Sequence, residues 1–224
     1  MKKAVIVTGG RIHSAFCVSY IKKINPDMQI AVDSGMRYFY ELQKTREAGM
    51  EVLPDWIVGD FDSVDTEILD FFEQQEGIQW KRLIPEKDDT DTESAIRLAL
   101  KEGCKQIHIL GATGSRIDHM LGNIQLLGIG LENEAEICIV DENNRIRMVD
   151  KGIKIKKEEQ FGEYVSLLPF TPQVKGLTLK GMKYPLKEYT MTCYNSLGIS
   201  NEIVEEVAEI SFDDGVLLVL ETKD

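Results

Sequence analysis

The feature that most constrains this chain is a repeated rhythm: short runs of β-branched and apolar residues, each ending abruptly in glycines or acidic residues. The runs are Ala4–Val7, Gln29–Val32, Trp56–Val58, Trp80–Ile84, Ile107–Leu110 and Ile137–Val140. Between them apolar residues recur at helical spacing, as in Ile68, Leu69 and Phe72, or Ala95, Ile96, Ala99 and Leu100. Strands alternating with helices of this length imply βαβ crossovers, hence a mainly parallel sheet covered on both faces. The spacing predicts an α/β domain over residues 1–144, doubly wound on a mainly parallel six-stranded sheet.

After Asp141 the rhythm changes. Short β-like runs at Arg145–Val149, Ile153–Ile155, Tyr164–Pro169, Gly176–Lys180, Thr190–Tyr194, Val207–Ser211 and Val216–Glu221 are divided by turn signals such as Lys151-Gly152 and Asp213-Asp214-Gly215. They predict a small all-β sandwich, or open barrel, over residues 145–224. So small a domain has limited core of its own, and it is expected to pack against the first domain or a second copy.

Charge narrows the partners. With 26 Lys and Arg against 38 Asp and Glu the net charge is −12, and no basic stripe offsets it. Such a surface repels a nucleic-acid backbone, so polynucleotides are not expected partners. A small anion is compatible if local cations, a metal and backbone N–H groups receive it. Ala4–Val7 is too short for a signal-peptide core, and no stretch approaches a membrane span. Cys17, Cys104, Cys138 and Cys193 lie far apart with no C-x-x-C pairing, as reduced thiols of a cytoplasmic protein do.

The polar clusters fall after the strands, not before them. They are Thr8-Gly9-Gly10, Asp33-Ser34-Gly35, Gly59-Asp60-Phe61-Asp62-Ser63, Lys87-Asp88-Asp89-Thr90-Asp91 and Gly111-Ala112-Thr113-Gly114-Ser115-Arg116. Turns are generally rich in Gly, Asp and Ser, but turn chemistry alone does not put five clusters at one end. In a doubly wound sheet the carboxyl ends of the strands form one edge, where ligands bind.

Each cluster suggests a role. Asp60 and Asp62, one residue apart in an extended turn, can reach a single hard cation such as Mg²⁺, which favours carboxylates, water and phosphate oxygens. Thr90 and Glu93 have capping-box spacing, so a helix is expected to start near Asp91. Acidic residues there favour the helix dipole, whereas Lys87 opposes it and suits a polyphosphate; Asp88 and Asp91 then become further metal or water ligands. Gly111, Thr113, Gly114 and Ser115 form a loop whose backbone N–H groups can approach phosphate, although it is neither a Walker A loop nor a dinucleotide fingerprint. Arg116 is a candidate phosphate clamp, and Asp118 a group that orients Arg116 or His119. Asp118-His119 reads equally as a buried structural pair, and the same holds for Asn123. His13 and His108 are given no role, His108 as a satisfied residue within a strand.

Taken in order, VDSG (32–35), GDFDS (59–63), EKDDTDTESA (86–95), GATGSRIDHMLGN (111–123), SLLPF, GLTLKGMKYPL and SLGISNE (196–202) resemble the thiamine pyrophosphokinase family. The resemblance implies an N-terminal α/β domain, a C-terminal β-sandwich, ATP as co-substrate, Mg²⁺, and a homodimer with active sites between subunits. It places Asp60, Asp62, Asp88 and Asp91 with metal and phosphate. Asp33, Gly35, Lys87, Arg116, Asp118 and Asn123 fall on the nucleotide side, and Ser196, Ser200 and Asn201 beside thiamine. Two departures stand out: Asp33-Ser34-Gly35-Met36-Arg37 where the family usually has Asp-Gly-Gly-Ala-Asn, and Ser115 in place of a frequent glycine.

The implied reaction is attack of the thiamine hydroxyl on the β-phosphorus of ATP, with AMP leaving and Asp88 or Asp60 taking the proton. The residues alone give only phosphoryl-type transfer to a small acceptor. The alternatives are a non-catalytic thiamine or nucleotide binder, and a pyrophosphokinase for another small alcohol such as a hydroxymethylpterin.

Overall fold

The computed structural model describes residues 1–45, 53–84 and 89–224. The chain divides into two compact units, Met1–Glu142 and Asn143–Asp224.

In the first unit the β-branched runs form strands β1 (Lys2–Val7), β2 (Met28–Val32), β3 (Trp56–Gly59), β4 (Gln79–Arg82), β5 (Cys104–Leu110) and β6 (Glu136–Val140). They lie side by side in the order β6-β5-β1-β2-β3-β4, and every pairing is parallel. The chain therefore winds outward from β1 in both directions, reversing between β1 and β5. Among the described residues six α-helices accompany the strands: α1 (Ser14–Ile24), α2 (Met36–Lys44), α3 (Thr66–Glu73), α4 (Asp91–Lys101), α5 (Ile117–Leu126) and α6 (Gly128–Glu132). Strands buried on both faces explain the unbroken apolar runs: Ala4 to Val7 are wholly buried, as are Ile30, Ile57, Ile107 and Ile109, with Phe39, Phe72 and Ile96 packed from the helices.

Helix boundaries follow from capping. Thr90 accepts the Glu93 N–H at 3.2 Å, so α4 begins at Asp91 where the sequence predicts. The reciprocal half of the capping box is not made, because the Glu93 carboxylate instead binds Arg97 one turn on. His13, without a role at the sequence level, caps α1 by accepting the Phe16 N–H on Nδ1. β4 ends at Arg82, two residues earlier than the apolar run, and just beyond it Leu83 N–H donates to the Gly59 carbonyl. His108 is half-buried and satisfied as expected, its Nδ1 lying 2.9 Å from the Tyr20 hydroxyl and 3.2 Å from Cys138 Sγ. Cys17, Cys104 and Cys138 are buried free thiols and Cys193 is exposed. Among the described residues no helix is long and apolar enough to cross a membrane.

The second unit contains β7 (Asn144–Val149), β8 (Ile153–Lys156), β9 (Tyr164–Pro169), β10 (Gln173–Lys180), β11 (Leu186–Thr192), β12 (Asn201–Glu202), β13 (Val207–Ser211) and β14 (Leu217–Thr222). They pair antiparallel in two groups, β12-β9-β14-β7 and β11-β10-β13-β8. Both groups supply one core, including Val165, Leu167 and Val219 from the first and Leu177, Leu179 and Ile210 from the second, which makes the unit a β-sandwich. The two-residue β12 gives too short a pattern to be legible in sequence.

One buried charge closes this core. In β14 the inward alternation Leu217, Val219 is continued by Glu221, which is wholly buried. Its carboxylate accepts two bonds from Arg145, at 2.8 and 2.6 Å, one from Arg147 at 2.9 Å and one from the Phe161 N–H at 3.0 Å. Four donors satisfy the charge that burial would otherwise penalise. Removing the carboxylate strands two guanidinium groups facing each other, so Glu221→Ala is expected to cost about 3 kcal/mol. A urea unfolding curve with a clearly lowered midpoint would bear this out.

Candidate active site

A wholly parallel sheet sends the carboxyl end of every strand to one edge, and the polar clusters gather there for that reason. At the point of reversal, between β1 and β5, the two loops are zipped together. The Thr8 hydroxyl donates to the Gly111 carbonyl at 2.6 Å, Gly10 N–H to the same carbonyl at 2.8 Å, and Arg11 N–H to the Thr113 carbonyl at 2.8 Å. Thr113 in turn donates its hydroxyl to Asp141 at 2.8 Å, and Asn123 donates its amide to the Ala112 carbonyl at 2.9 Å. Thr113 and Asn123 thus hold the glycine loop in shape, while Gly114 and Ser115 are exposed beside it.

The acidic centre lies over the neighbouring strands. Asp33 follows β2, Asp60 and Asp62 follow β3, and one carboxylate oxygen from each lies within 4.8 Å of the other two. The turn that presents the last two is not the extended one the sequence suggests. Phe61 takes φ 67°, Asp62 N–H donates to Asp60 Oδ1 at 3.3 Å, and Val64 N–H donates to the Phe61 carbonyl. Asp33 also has positive φ, 47°, and accepts the Ser63 hydroxyl on Oδ2. Its Oδ1 is buried and makes no hydrogen bond among the described residues. The sequence reading assigned Asp33 to the nucleotide; the structure groups it with the two aspartates.

Crowding like charges has an electrostatic signature. The Asp62 carboxyl is raised above the usual aspartate range, chiefly by the Asp60 charge, with burial, Asp33 and Asp91 adding to it. A raised carboxyl means that ionisation disfavours the folded state, so this repulsion is relieved as pH falls through the Asp62 pKa. A bound cation would relieve it at neutral pH.

Arg116 and Asp118 form a separate pair at the start of α5. The guanidinium meets the carboxylate at 2.6 and 3.3 Å, and holds the Asp118 carboxyl down to about 2. Asp118 thus orients Arg116, and since Asp118 and His119 are both exposed they are not a buried structural pair. Of the departures, Arg37 is turned to Asp65, 2.7 Å away, and ties α2 to the start of α3. Lys87 and Asp88 lie outside the described residues.

In the second unit, Asn201 is buried and its side chain serves as both acceptor and donor. It accepts the Tyr184 and Glu202 N–H groups and donates to the Tyr184 carbonyl, so it shapes the 182–202 segment. Ser196 and Ser200 are exposed, Ser200 at φ 54° with its N–H on the Ser166 hydroxyl.

The placing of Asp33 depends on Gly35. A Cβ there would stand 2.1 Å from the Val7 carbonyl oxygen, so no side chain fits without moving β1 or the 33–35 turn. Gly35→Ala is therefore expected to lower stability by about 1–3 kcal/mol, measured by thermal or urea unfolding.

Comparisons with known proteins agree with this architecture. A family model described as "Thiamin pyrophosphokinase, catalytic domain" matches residues 22–139, and one described as "Thiamin pyrophosphokinase, vitamin B1 binding domain" matches residues 151–217. The chain is 34% identical over 180 residues to thiamine pyrophosphokinase of Bacillus subtilis (strain 168), covering 77% of this chain and 80% of that one. The crystal structure of thiamine pyrophosphokinase from Bacillus subtilis superposes over the full length of both chains with a TM-score of 0.85 and 31% identity. That of a thiamin pyrophosphokinase family protein from Enterococcus faecalis does so with 0.81 and 30%. With both units matched and the relationship carried in sequence as well as fold, the chain belongs to the thiamine pyrophosphokinase family of enzymes.

Proposed function

We propose that the chain transfers a pyrophosphoryl group from ATP to the hydroxyl of thiamine, giving thiamine diphosphate and AMP. The observation that carries the chemistry is the group of Asp33, Asp60 and Asp62 at the carboxyl edge of the sheet. Three carboxylates held together against their own repulsion, one with a buried oxygen that has no hydrogen bond among the described residues, fit a hard divalent cation such as Mg²⁺. Asp60 and Asp62 would hold it with Asp33, and Asp88 and Asp91 would complete the acidic set. When bound, the ion neutralises phosphate charge that these carboxylates would otherwise repel.

The remaining work falls to the chain's own groups. The glycine loop of Gly111, Gly114 and Ser115 offers backbone N–H groups to the nucleotide. Arg116, exposed and oriented by Asp118, takes up charge developing toward AMP together with Lys87. The thiamine oxygen forms a bond to the β-phosphorus as the bridge to the α-phosphate breaks, and the hydroxyl proton passes to Asp88 or Asp60. The thiazolium cation of thiamine suits an acidic cleft on a chain of net charge −12.

The first unit would be the catalytic ATP- and metal-binding domain, the second the thiamine-binding and dimerisation domain, with Ser196 and Ser200 beside thiamine and Asn201 fixing their segment. The proposed assembly is a cytoplasmic homodimer with active sites between subunits. In the first unit α5 also buries none of its residues and leaves Ile117 and Leu121 more than half exposed, an apolar face that the same partner would cover in addition to the second unit.

Incubating the protein with thiamine, ATP and Mg²⁺ and separating the products tests the reaction. AMP and thiamine diphosphate in equal amounts, both abolished by EDTA, are expected. ADP with thiamine monophosphate would overturn attack at the β-phosphorus, and no turnover with thiamine would redirect the search to another alcohol. Asp62→Asn is expected to lower turnover by at least about a hundredfold while the protein remains folded. The same variant should lose the rise in melting temperature that Mg²⁺ gives the unsubstituted protein.

A further inference from the structure

The acidic turn is built around a residue that the reaction does not use. Phe61 stands between Asp60 and Asp62 in a left-handed conformation, φ 67°, which is strained for a bulky residue and persists only where surrounding contacts hold it. Its ring is buried and meets the Trp80 ring edge to face, with centroids 5.4 Å apart. The Arg82 guanidinium lies 5.4 Å from the centre of Phe61 and 5.0 Å from that of Trp80, and is fixed from behind by Glu73 of α3. Trp80 and Arg82 alternate along β4 and so share one face. Lys81 between them points away, donating to the Ser94 carbonyl in α4. β4 is paired to β3 with Trp80 opposite Ile57 and Arg82 opposite Gly59, so this platform is registered directly against the strand that ends in the acidic turn. Gly59 completes it, since a Cβ there would lie 3.1 Å from the Phe61 ring.

We infer that Trp80, with Arg82 clamped by Glu73, is a positioning residue for the Asp60 and Asp62 carboxylates. The platform holds the Phe61 ring, the held ring fixes the left-handed turn, and the turn keeps the two carboxylates together beside Asp33 in spite of their repulsion. This inference rests on the reading of that group as a divalent-cation site. None of the three platform residues carries a group that touches phosphate or thiamine in this account.

The experiment titrates the purified, full-length protein with Mn²⁺, following free ion by electron paramagnetic resonance, with a thermal melt of each variant as a check on folding. Outer groups that orient metal-binding carboxylates are typically worth 10- to 100-fold in affinity, so Trp80→Leu is expected to weaken Mn²⁺ binding about tenfold. Trp80→Phe, which restores an aromatic surface for Phe61, should recover binding to within about threefold, a rescue that a loss of general packing would not show. Arg82→Gln, at an exposed position, gives a second reading should Trp80→Leu fail to fold, and is expected to weaken binding several-fold. Unchanged Mn²⁺ affinity in a folded Trp80→Leu or Arg82→Gln protein would overturn the inference while leaving the metal site standing. Mn²⁺ binding that Asp62→Asn does not reduce would overturn the metal site and the inference together.

Discussion

Three like charges whose carboxylate oxygens are held within 4.8 Å of one another are the constraint on which the rest of this site depends. Asp33, Asp60 and Asp62 repel, and the raised Asp62 carboxyl records that repulsion. A flexible surface loop would simply splay them. Here two left-handed residues, Asp33 and Phe61, fix the turns, Ser63 bridges from one turn to the other, and Gly35 allows the first turn to press onto the Val7 carbonyl. The strain is local and the support is distributed over β1 to β4. This is the pattern expected where a fold keeps a functional arrangement that its own electrostatics oppose.

The sheet explains why the acidic centre and the glycine loop share an edge. In doubly wound folds the reversal point commonly opens a gap for ligands. Here the loops after β1 and β5 are laced together by bonds from Thr8, Gly10 and Arg11, which fixes the shape of the glycine loop at that point. The acidic groups stand instead over β2 and β3, with Asp91 close enough to act on Asp62. Arg116 stands apart from them, paired with Asp118 at the start of α5. A polyphosphate, long and multiply charged, is a ligand whose length suits cationic and metal-binding groups that are set apart.

Much of this was legible in sequence because two periodicities carry it. Strands buried on both faces must be continuously apolar, so all six of the first unit appear within a few residues of their observed ends. Parallel strands must end at one edge, so a run of glycines and aspartates after each strand is informative where a single cluster is not. What periodicity does not contain is strand order. That β2 lies beside β3 is what brings Asp33 to Asp60 and Asp62, and nothing in the spacing of residues 33 and 60 announces it. Backbone conformation was equally hidden: Phe61 reads as an apolar residue in a strand-like turn, and its positive φ follows from its contacts with Trp80 and Arg82 across a strand pairing. Asn201 was legible as important but not as what it is, a buried amide that ties its own segment to the backbone of Tyr184.

The central claim is that these three aspartates hold the divalent cation that serves the polyphosphate. Anomalous diffraction from crystals containing Mn²⁺ and a non-hydrolysable ATP analogue tests it most directly. The account predicts an anomalous peak in direct bonding contact with carboxylate oxygens of Asp33, Asp60 and Asp62. A peak bound elsewhere, with those three carboxylates left unliganded, would contradict it.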